Sequence, residues 1–576
     1  MIKKNEVTQK IGNYRWVIVA LLLFSTTFNY LDRQVLSYLK PYFCSPEGFG
    51  WTNTEFSTLV AFFTGFYGMM TIFIGVVIDK IGTKLGLAMS LVVWSVFGMA
   101  NALVGGVLWL HIAVRSLFGV GEAGNFPASI KTVAEWFPKK ERALATSIFN
   151  SGSNLGAMVA ALFVPWCMAF FGDGTGWKMA FIITGAVGFI WLIFWFWLYD
   201  SPSKSKRIGK AEYDYIHSDE AVVANTGDTG SGVSYGNLSS FSGRVSKATY
   251  WGTFLMINII CIFLLQVMTM MLSKKHPGEV ISMLFDGSNT LGLAPKIFML
   301  FVAGLYIWFV LALQSKRLHD GGKSNKILFL HLIPVVGFFY VLIYAGIQED
   351  NNNGNEFGET GKPSILAYNQ TWAFFFGKFF TDGIWWFYLF WLPDYLINQF
   401  GLTLQEVKWP TFIVYFISIL GSVFGGSIPL FLMNRGMQVY KARMTAMIMI
   451  AVVPLIVLTT QFFGDVSRFH GSAMTFAVAV ISIAAAAHQA WSANLFTTVS
   501  DMFPKKAVGS VTGIGAMAGG LGGVLMMMLT GVLRDAFLEK PQTAYFILFI
   551  VCGISYLVAW SIMKILVPKH KPITLD

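Results

Sequence analysis

The chain has 576 residues, of which 55% are hydrophobic, 16% aromatic and only 12% charged, with a mean hydropathy of +0.60. A soluble domain usually carries about twice that charged fraction, because its surface needs polar cover. These values exclude a water-soluble enzyme of this size, a disordered chain, a collagen-like fibre and a disulfide scaffold. They leave an all-α polytopic membrane protein. The net charge of +11 would raise nucleic acid in a soluble chain; in a membrane chain it reads as cytoplasmic-loop charge, and no nucleic-acid partner is expected. Cys44, Cys167, Cys261 and Cys552 are scattered, and they predict neither a metal site nor a disulfide framework. No cofactor is expected.

Apolar runs of about 20 residues are the unit that crosses a bilayer. Six are predicted before Asp200, at 16–39, 56–78, 85–104, 107–128, 143–170 and 180–199. The opening stretch leads into the first of these without a small-residue cleavage site, so that span is expected to be retained. Between the fourth and fifth runs stand Lys139, Lys140 and Arg142. Residues 201–246 are polar and rich in Ser and Gly, and read as a flexible linker. Three further apolar runs follow, at 250–272, 295–313 and 327–347. Six more come after Tyr368, at 372–397, 409–433, 442–462, 473–499, 508–533 and 545–566. Lys and Arg gather in alternate loops, which predicts cytoplasmic termini.

The central runs raise a question of parity. Three full crossings would invert the second set of six spans. The basic loop Lys316, Arg317, Lys323 and Lys326 is expected on the cytoplasmic side. The first two runs are therefore predicted to span. The third, with Pro334 and Gly337 near its middle, is predicted to bend back as a re-entrant or interfacial hairpin. A fourth hidden crossing is the competing account. The expected organisation is 1–200, a six-helix half; 201–246, a linker; 247–361, an inserted membrane domain; and 362–576, a second six-helix half.

An internal repeat supports the two halves. Ala134–Met158 aligns with Ser500–Val524: Phe-Pro-Lys-Lys matches outright, as do Thr146/Thr512, Ile148/Ile514, Leu155/Leu521 and Gly156/Gly522. Each copy sits after the fourth helix of its half. Repeated six-span halves are a transporter signature.

Ionisable residues inside apolar spans are expensive and face a cavity or a partner. Asp32 and Arg33 lie in the first span, Arg115 and Glu122 in the fourth, Lys378 and Asp382 in the span at 372–397. Arg115 and Glu122 share one helix face, separated by about 10 Å along the axis. Two guanidiniums at one depth suit bidentate capture of a carboxylate or phosphate. A purely structural set, with Asp32 paired to an arginine and Glu122 to a helix dipole, is the alternative. A desolvated carboxylate can titrate near neutral pH, so Asp32 and Glu122 are candidates for proton coupling. Lys378 is expected to snorkel toward the membrane edge. Mid-helix Trp385 and Tyr388 are pocket candidates, and Pro393 is expected to break that helix. The repeat register places His488 opposite Glu122. His488, Gln489, Trp491 and Asn494 form a polar stretch in an Ala-rich helix, suited to reading hydroxyls or, equally, to helix–helix bonding. Gly75, Asp79, Lys80 and Gly82 close the second helix as a breakable cytoplasmic latch.

Gly75–Lys84 resembles the loop between helices two and three of the major facilitator superfamily, and Arg115–Glu122 resembles its fourth-helix motif. More narrowly, Asn29–Arg33, Arg115–Arg142, Phe149–Met158, the Phe380–Leu396 stretch and Ala487–Pro504 resemble that superfamily's anion:cation symporters, especially bacterial hexuronate transporters. The resemblance implies twelve helices, alternating access and proton-driven uptake of a small anionic sugar acid, such as glucuronate or galacturonate, across the bacterial inner membrane. It implies that Arg33 and Arg115 hold the carboxylate and that Asp32 and Glu122 serve coupling. It implies a pocket lined by Tyr67, Asn150, Ser153, Gln489 and Asn494. The central segment departs from that family. With its Arg317-Leu-His319-Asp320 motif it resembles a small bacterial inner-membrane domain of unknown function. Those three residues would bind an anionic headgroup or a cytoplasmic partner; a charge-paired turn is the weightier reading. No enzyme activity is expected. The other functional classes left open are an organic-anion or sugar-phosphate antiporter and a transporter-derived sensor acting through the insert.

Overall fold

The computed structural model describes residues 11–218, 240–242, 244–272, 293–333, 336–350, 365–463, 465–503, 505–569 and 573. In a bilayer every backbone polar group must be satisfied within the chain, so apolar spans become helices. Among the described residues, nine helices are long and apolar enough to cross a membrane. The chain divides into two compact units.

The first unit holds residues 1–230, 375–501 and 512–564. In the N-terminal half, α1 is Tyr14–Cys44, α2 Asn53–Ile81, α3 Thr83–Ala100, α4 Leu108–Glu122, α5 Asn125–Trp136, α6 Lys139–Phe171 and α7 Asp173–Leu198. The short α8, Lys210–Ile216, follows. The fourth predicted span is thus two helices. The chain breaks at Ala123–Gly124, where a side chain on Gly124 would strike the Ser90 hydroxyl at 1.9 Å. Thr52 starts α2 through a reciprocal capping box with Glu55, which satisfies two otherwise orphaned donors.

Helices of the C-terminal half are α12, Asn369–Phe400; α13, Lys408–Asn434; α14, Val439–Val452; α15, Ala473–Met502; α16, Lys505–Ala536; and α17, Pro541–Leu566. The predicted span at 442–462 begins as α14 and continues as a 3₁₀ stretch, Val453–Thr459, where Pro454 stands at the first turn. Pro393 does not break α12, which runs on to Phe400. Pro removes one helical hydrogen bond, but flanking turns and packed neighbours hold the helix in a bilayer.

Glycines set how closely these helices approach. A Cβ on Gly156 of α6 would lie 2.4 Å from the Thr27 carbonyl oxygen of α1, and one on Gly152 would lie 2.7 Å from that of Leu23. The repeat partner of Gly156, Gly522 in α16, presses in the same way on the Phe379 carbonyl of α12. The sequence repeat therefore records one contact made twice, between the fifth span and the first of each half. The halves also meet directly. The Ser418 hydroxyl donates to Asn154 Oδ1 at 2.9 Å, and a Cβ on Gly68 would stand 3.1 Å from the Gly520 Cα.

The second unit holds residues 231–374, 502–511 and 565–576. Its helices are α9, Lys247–Leu272; α10, Leu293–Asp320; and α11, Val336–Ile347. At 26 and 28 residues, α9 and α10 are about 40 Å long, enough to span. The start of α9 and the end of α10 lie together, since Arg244 Nη2 is 2.8 Å from Asp320 Oδ1. Arg317 also pairs with Asp320 at 2.5 Å and with Asp350 at 2.7 Å. It donates besides to the carbonyls of Val245 and Ala345 at 3.2 Å each, and to that of Gln348.

This cluster is the charge-paired turn of the weightier reading, and it leaves Arg317, His319 and Asp320 facing inward rather than toward a headgroup or partner. All three side chains are buried. Arg317 joins the beginning of α9, the end of α10 and the end of α11.

The segment after α10 leaves and returns to that same place. Asn325 accepts from the Ser315 hydroxyl at 2.7 Å, and Ile347 ends beside the Arg317 cluster. Between them a 3₁₀ stretch, Asn325–Leu332, leads in and α11 leads back. The two meet closely at Gly337, where a Cβ would lie 1.7 Å from the Leu330 carbonyl oxygen. At 12 residues, α11 is about 18 Å long, too short to cross the roughly 30 Å hydrocarbon core. Pro334 lies outside the described residues.

Two outcomes are expected. Cysteines placed at Asn325 and Gln348 should react with a membrane-impermeant maleimide from the same side of the membrane; labelling from opposite sides would mean a full crossing. Arg317→Leu should destabilise this unit, since it takes the donors from three backbone carbonyls and leaves the buried Asp320 with Arg244 as a remaining partner, as read by faster proteolysis in detergent.

Candidate functional site

The glycines of the fourth-span motif bring its charges to α1. A Cβ on Gly119 would lie 2.7 Å from the Phe63 carbonyl oxygen of α2, and one on Gly121 would lie 2.5 Å from the Trp94 nitrogen of α3. With α4 seated this closely, Glu122 reaches Arg33. Glu122 Oε2 accepts from Arg33 Nε at 3.0 Å and from Arg33 Nη2 at 2.8 Å. Both side chains are almost wholly buried, at 1% and 0% exposure. One carboxylate oxygen thus takes two donors, and Glu122 Oε1 has no hydrogen-bond partner.

Aromatic rings enclose the Arg33 guanidinium. Its carbon lies 4.4 Å from the ring centre of Tyr30, 4.7 Å from Tyr67, 4.9 Å from Trp386 and 5.4 Å from Phe63. Such faces attract a cation by their quadrupoles, more strongly where water is excluded. Trp386 belongs to the C-terminal half, so the two halves share this enclosure. Tyr67 is where the resemblance implies a pocket residue. Tyr30, Phe63 and Trp386 were not singled out from sequence. Tyr30 carried a signal, standing three residues before Arg33 on the same helix face.

Arg115 is buried beside Phe118 and Phe181, at 4.8 and 5.0 Å. Its Nε and Nη2 make no hydrogen bond. Asp32 is equally buried and neither carboxylate oxygen is hydrogen-bonded. The nearby Thr184 hydroxyl points instead to the Ala180 carbonyl at 2.9 Å. Of the four charges, one pair is closed and the other two keep unused hydrogen-bonding capacity. An arginine with free donors in a buried site is suited to an anion.

The C-terminal half contributes a second cluster. His488 stacks on Trp385, with ring centres 5.1 Å apart and planes 3° apart. Its Nδ1 is 2.8 Å from the Tyr556 hydroxyl. Tyr388 is buried with its hydroxyl unbonded, as is the Trp491 indole nitrogen. Gln489 is buried on the same helix. Asn494 acts as helix glue: its amide nitrogen donates to the Gly425 and Ala490 carbonyls at 2.9 and 2.8 Å. The Ser153 hydroxyl likewise donates to the Asn150 carbonyl at 2.8 Å, and Asn150 is half-buried.

Lys378 does not snorkel. It is buried and pairs with Asp382 at 2.6 Å, one turn along α12. Tyr556 was missed from sequence, because a single tyrosine in an apolar last span gives no signal. Of the proposed latch, Gly82 ends α2 with φ +85°, and Gly75 has open space around it. The side chains of Asp79 and Lys80 lie outside the described residues. Among the described residues, no group of three or more His, Cys, Asp or Glu side chains could hold a metal ion.

A family model described as Major Facilitator Superfamily matches residues 22–354 and 374–575. The chain belongs to this superfamily. It is therefore a multi-pass membrane transporter and not an enzyme. It is similar to the hexuronate transporter of Escherichia coli (strain K12), with 25% identity over 558 residues, 96% of this chain and 95% of that one. It is also similar to the galacturonate transporter of Dickeya chrysanthemi, 33% identical over 220 residues, which cover 38% of this chain and 61% of that one. Among solved structures, the D-xylose-proton symporter shares the fold at a TM-score of 0.54 and 12% identity, covering 97% of this chain and all of that one. A bacterial homolog to the human lysosomal transporter Spinster, inward-facing and occupied, does so at 0.52 and 14%, covering 97% of each chain. These confirm the expected all-α fold of two six-helix halves.

The asymmetry of the four charges has a measurable consequence. Glu122→Ala strands the buried Arg33 and should cost about 3–5 kcal/mol, seen as a large fall in Tm of the purified transporter. Asp32→Asn removes a charge that has no ion pair, and Tm should hold or rise.

Proposed function

We propose that this transporter carries a hexuronate-like sugar acid into a bacterial cell across the inner membrane, coupled to protons, with both termini cytoplasmic. The observation that carries the reading is the closed Arg33–Glu122 pair beside Arg115, whose donors are unengaged. A monocarboxylate can meet Arg115 first. To take the two Arg33 donors that Glu122 holds it must displace Glu122, and an ionised Glu122 competes for them. Protonating Glu122 removes that competition, so proton and substrate favour one another, as linkage requires. Asp32 is the second carboxyl in reach of this exchange. The similarity to hexuronate and galacturonate transporters supports a sugar acid over other anions. Trp385, Tyr388, His488, Gln489 and Trp491 supply the flat face and the hydroxyl-reading groups, with Tyr67, Asn150 and Ser153 opposite. Residues 247–361 read as an added membrane domain, with its α11 hairpin in the cytoplasmic leaflet.

Proteoliposomes containing the transporter should accumulate glucuronate or galacturonate when the outside is made acidic, and accumulation should collapse with a protonophore. Glu122→Gln should keep counterflow exchange yet lose accumulation by at least tenfold. Arg115→Ala should lose both. Accumulation indifferent to the pH gradient would overturn proton symport and leave the organic-anion antiporter.

A further inference from the structure

The two halves are joined again about two turns along α1 from Arg33, by charges that the transport reading does not use. Lys40, near the end of α1, is buried and lies 2.6 Å from Asp394 Oδ1 near the end of α12. Its ammonium also donates to Asn53 Oδ1 at 2.8 Å and sits 4.5 Å from the Trp391 ring centre. Asp394 has further partners within its own half. The Tyr545 hydroxyl donates to its Oδ2, and Arg534 Nε stands 3.5 Å from the same oxygen. Arg534 Nε and Nη1 make no hydrogen bond, so that guanidinium has donors in reserve.

The next residue, Asp535, reaches the other way. Its carboxylate accepts from the Asn53 backbone nitrogen at 3.0 Å, from the Asn53 amide at 3.0 Å and from the Thr54 nitrogen at 2.7 Å. Residue 535 of the C-terminal half thereby caps the first turn of α2 in the N-terminal half, where the helix dipole favours an anion. Backbone proximity makes this possible: a Cβ on Gly531 would lie 2.5 Å from the Ser57 hydroxyl and 3.0 Å from the Asn53 carbonyl oxygen.

We propose that Lys40–Asp394 and Asp535–α2 form a gate that holds this end of the bundle shut and sets how often it opens. The arrangement is built to part without stranding a charge. On separation Asp394 keeps Tyr545 and gains the reserve donors of Arg534, both carried on its own half. Lys40 keeps Asn53 and meets entering water. Asp535 and the α2 terminus, each nearer the surface, are hydrated. A gate of isolated buried pairs would be locked, because each half would retain an unpaired charge. Here the closed state is favoured by a few charge-assisted hydrogen bonds, and single substitutions should shift the balance strongly.

The gate rests on the reading that the two halves rock against one another, but its test needs no substrate, so it can fail while the sugar-acid assignment stands. Spin labels at Leu103 and Leu538, which are exposed at this end at 83% and 65%, report the separation of the halves. The full-length transporter in nanodiscs should give one dominant short distance. Lys40→Met and Asp535→Ala should each raise the ratio of long to short distances by about tenfold or more. Arg443→Gln, which breaks a pair with Asp501 inside one half, should leave the distribution as it was. Unchanged distributions in both gate variants would overturn the proposal. So would an equal shift in the Arg443 variant, which would mean general loosening. If Lys40→Met fails to fold, Asp535→Ala decides alone.

Discussion

A guanidinium cannot be left alone in the low-dielectric middle of a helix bundle, and much of this molecule is arranged around that constraint at Arg33. The counter-charge comes from Glu122, three helices along. To bring it there, α4 must approach α2 and α3 to backbone distance, which is why Gly119 and Gly121 stand where they do. The remaining faces of the arginine are covered by rings from both halves. Stability and chemistry therefore draw on the same contact. In the proposed mechanism, the pair that makes the fold tolerable to the membrane is also the pair that an incoming carboxylate would open.

The same constraint is met differently at Arg317 in the second unit. There the partners are two carboxylates and three backbone carbonyls, and the cluster is saturated. Arg317 is saturated and acts as a fastener, whereas Arg33, held by one carboxylate oxygen, would be a site in the proposed mechanism. This contrast separates two buried arginines that look alike in a list of charged residues, and it explains why the Arg-Leu-His-Asp motif faces inward.

How much of this was legible beforehand follows from range. The spans, the two halves and the repeat are properties of long apolar runs, and the composition already demanded them. The isolated charges Asp32, Arg33, Arg115 and Glu122 were conspicuous because an apolar helix has few reasons to contain them. Their pairing was not legible. Seven-residue spacing places Arg115 and Glu122 on one face, but only the packing of α4 shows that Glu122 goes to Arg33. Lys378 illustrates the opposite error. Its position suggested snorkelling, while Asp382 one turn on was a nearer partner. Pro393 suggested a break, because proline rules drawn from isolated helices omit the packed neighbours. The Lys40–Asp394 contact joins residues 354 positions apart, and nothing in local pattern announces it.

The approach of Gly68 to Gly520 bears on how two such halves can move at all. Most helix pairs interlock, with side chains of one lying between those of the other, and relative rotation must climb over them. Two glycines meeting backbone to backbone offer no ridge. If the halves rock as proposed, this contact would serve as a plain bearing between two levers, with the proposed charged fastening at one end of each. Its smoothness is a property of missing atoms: a methyl group on either surface would convert a pivot into a wedge.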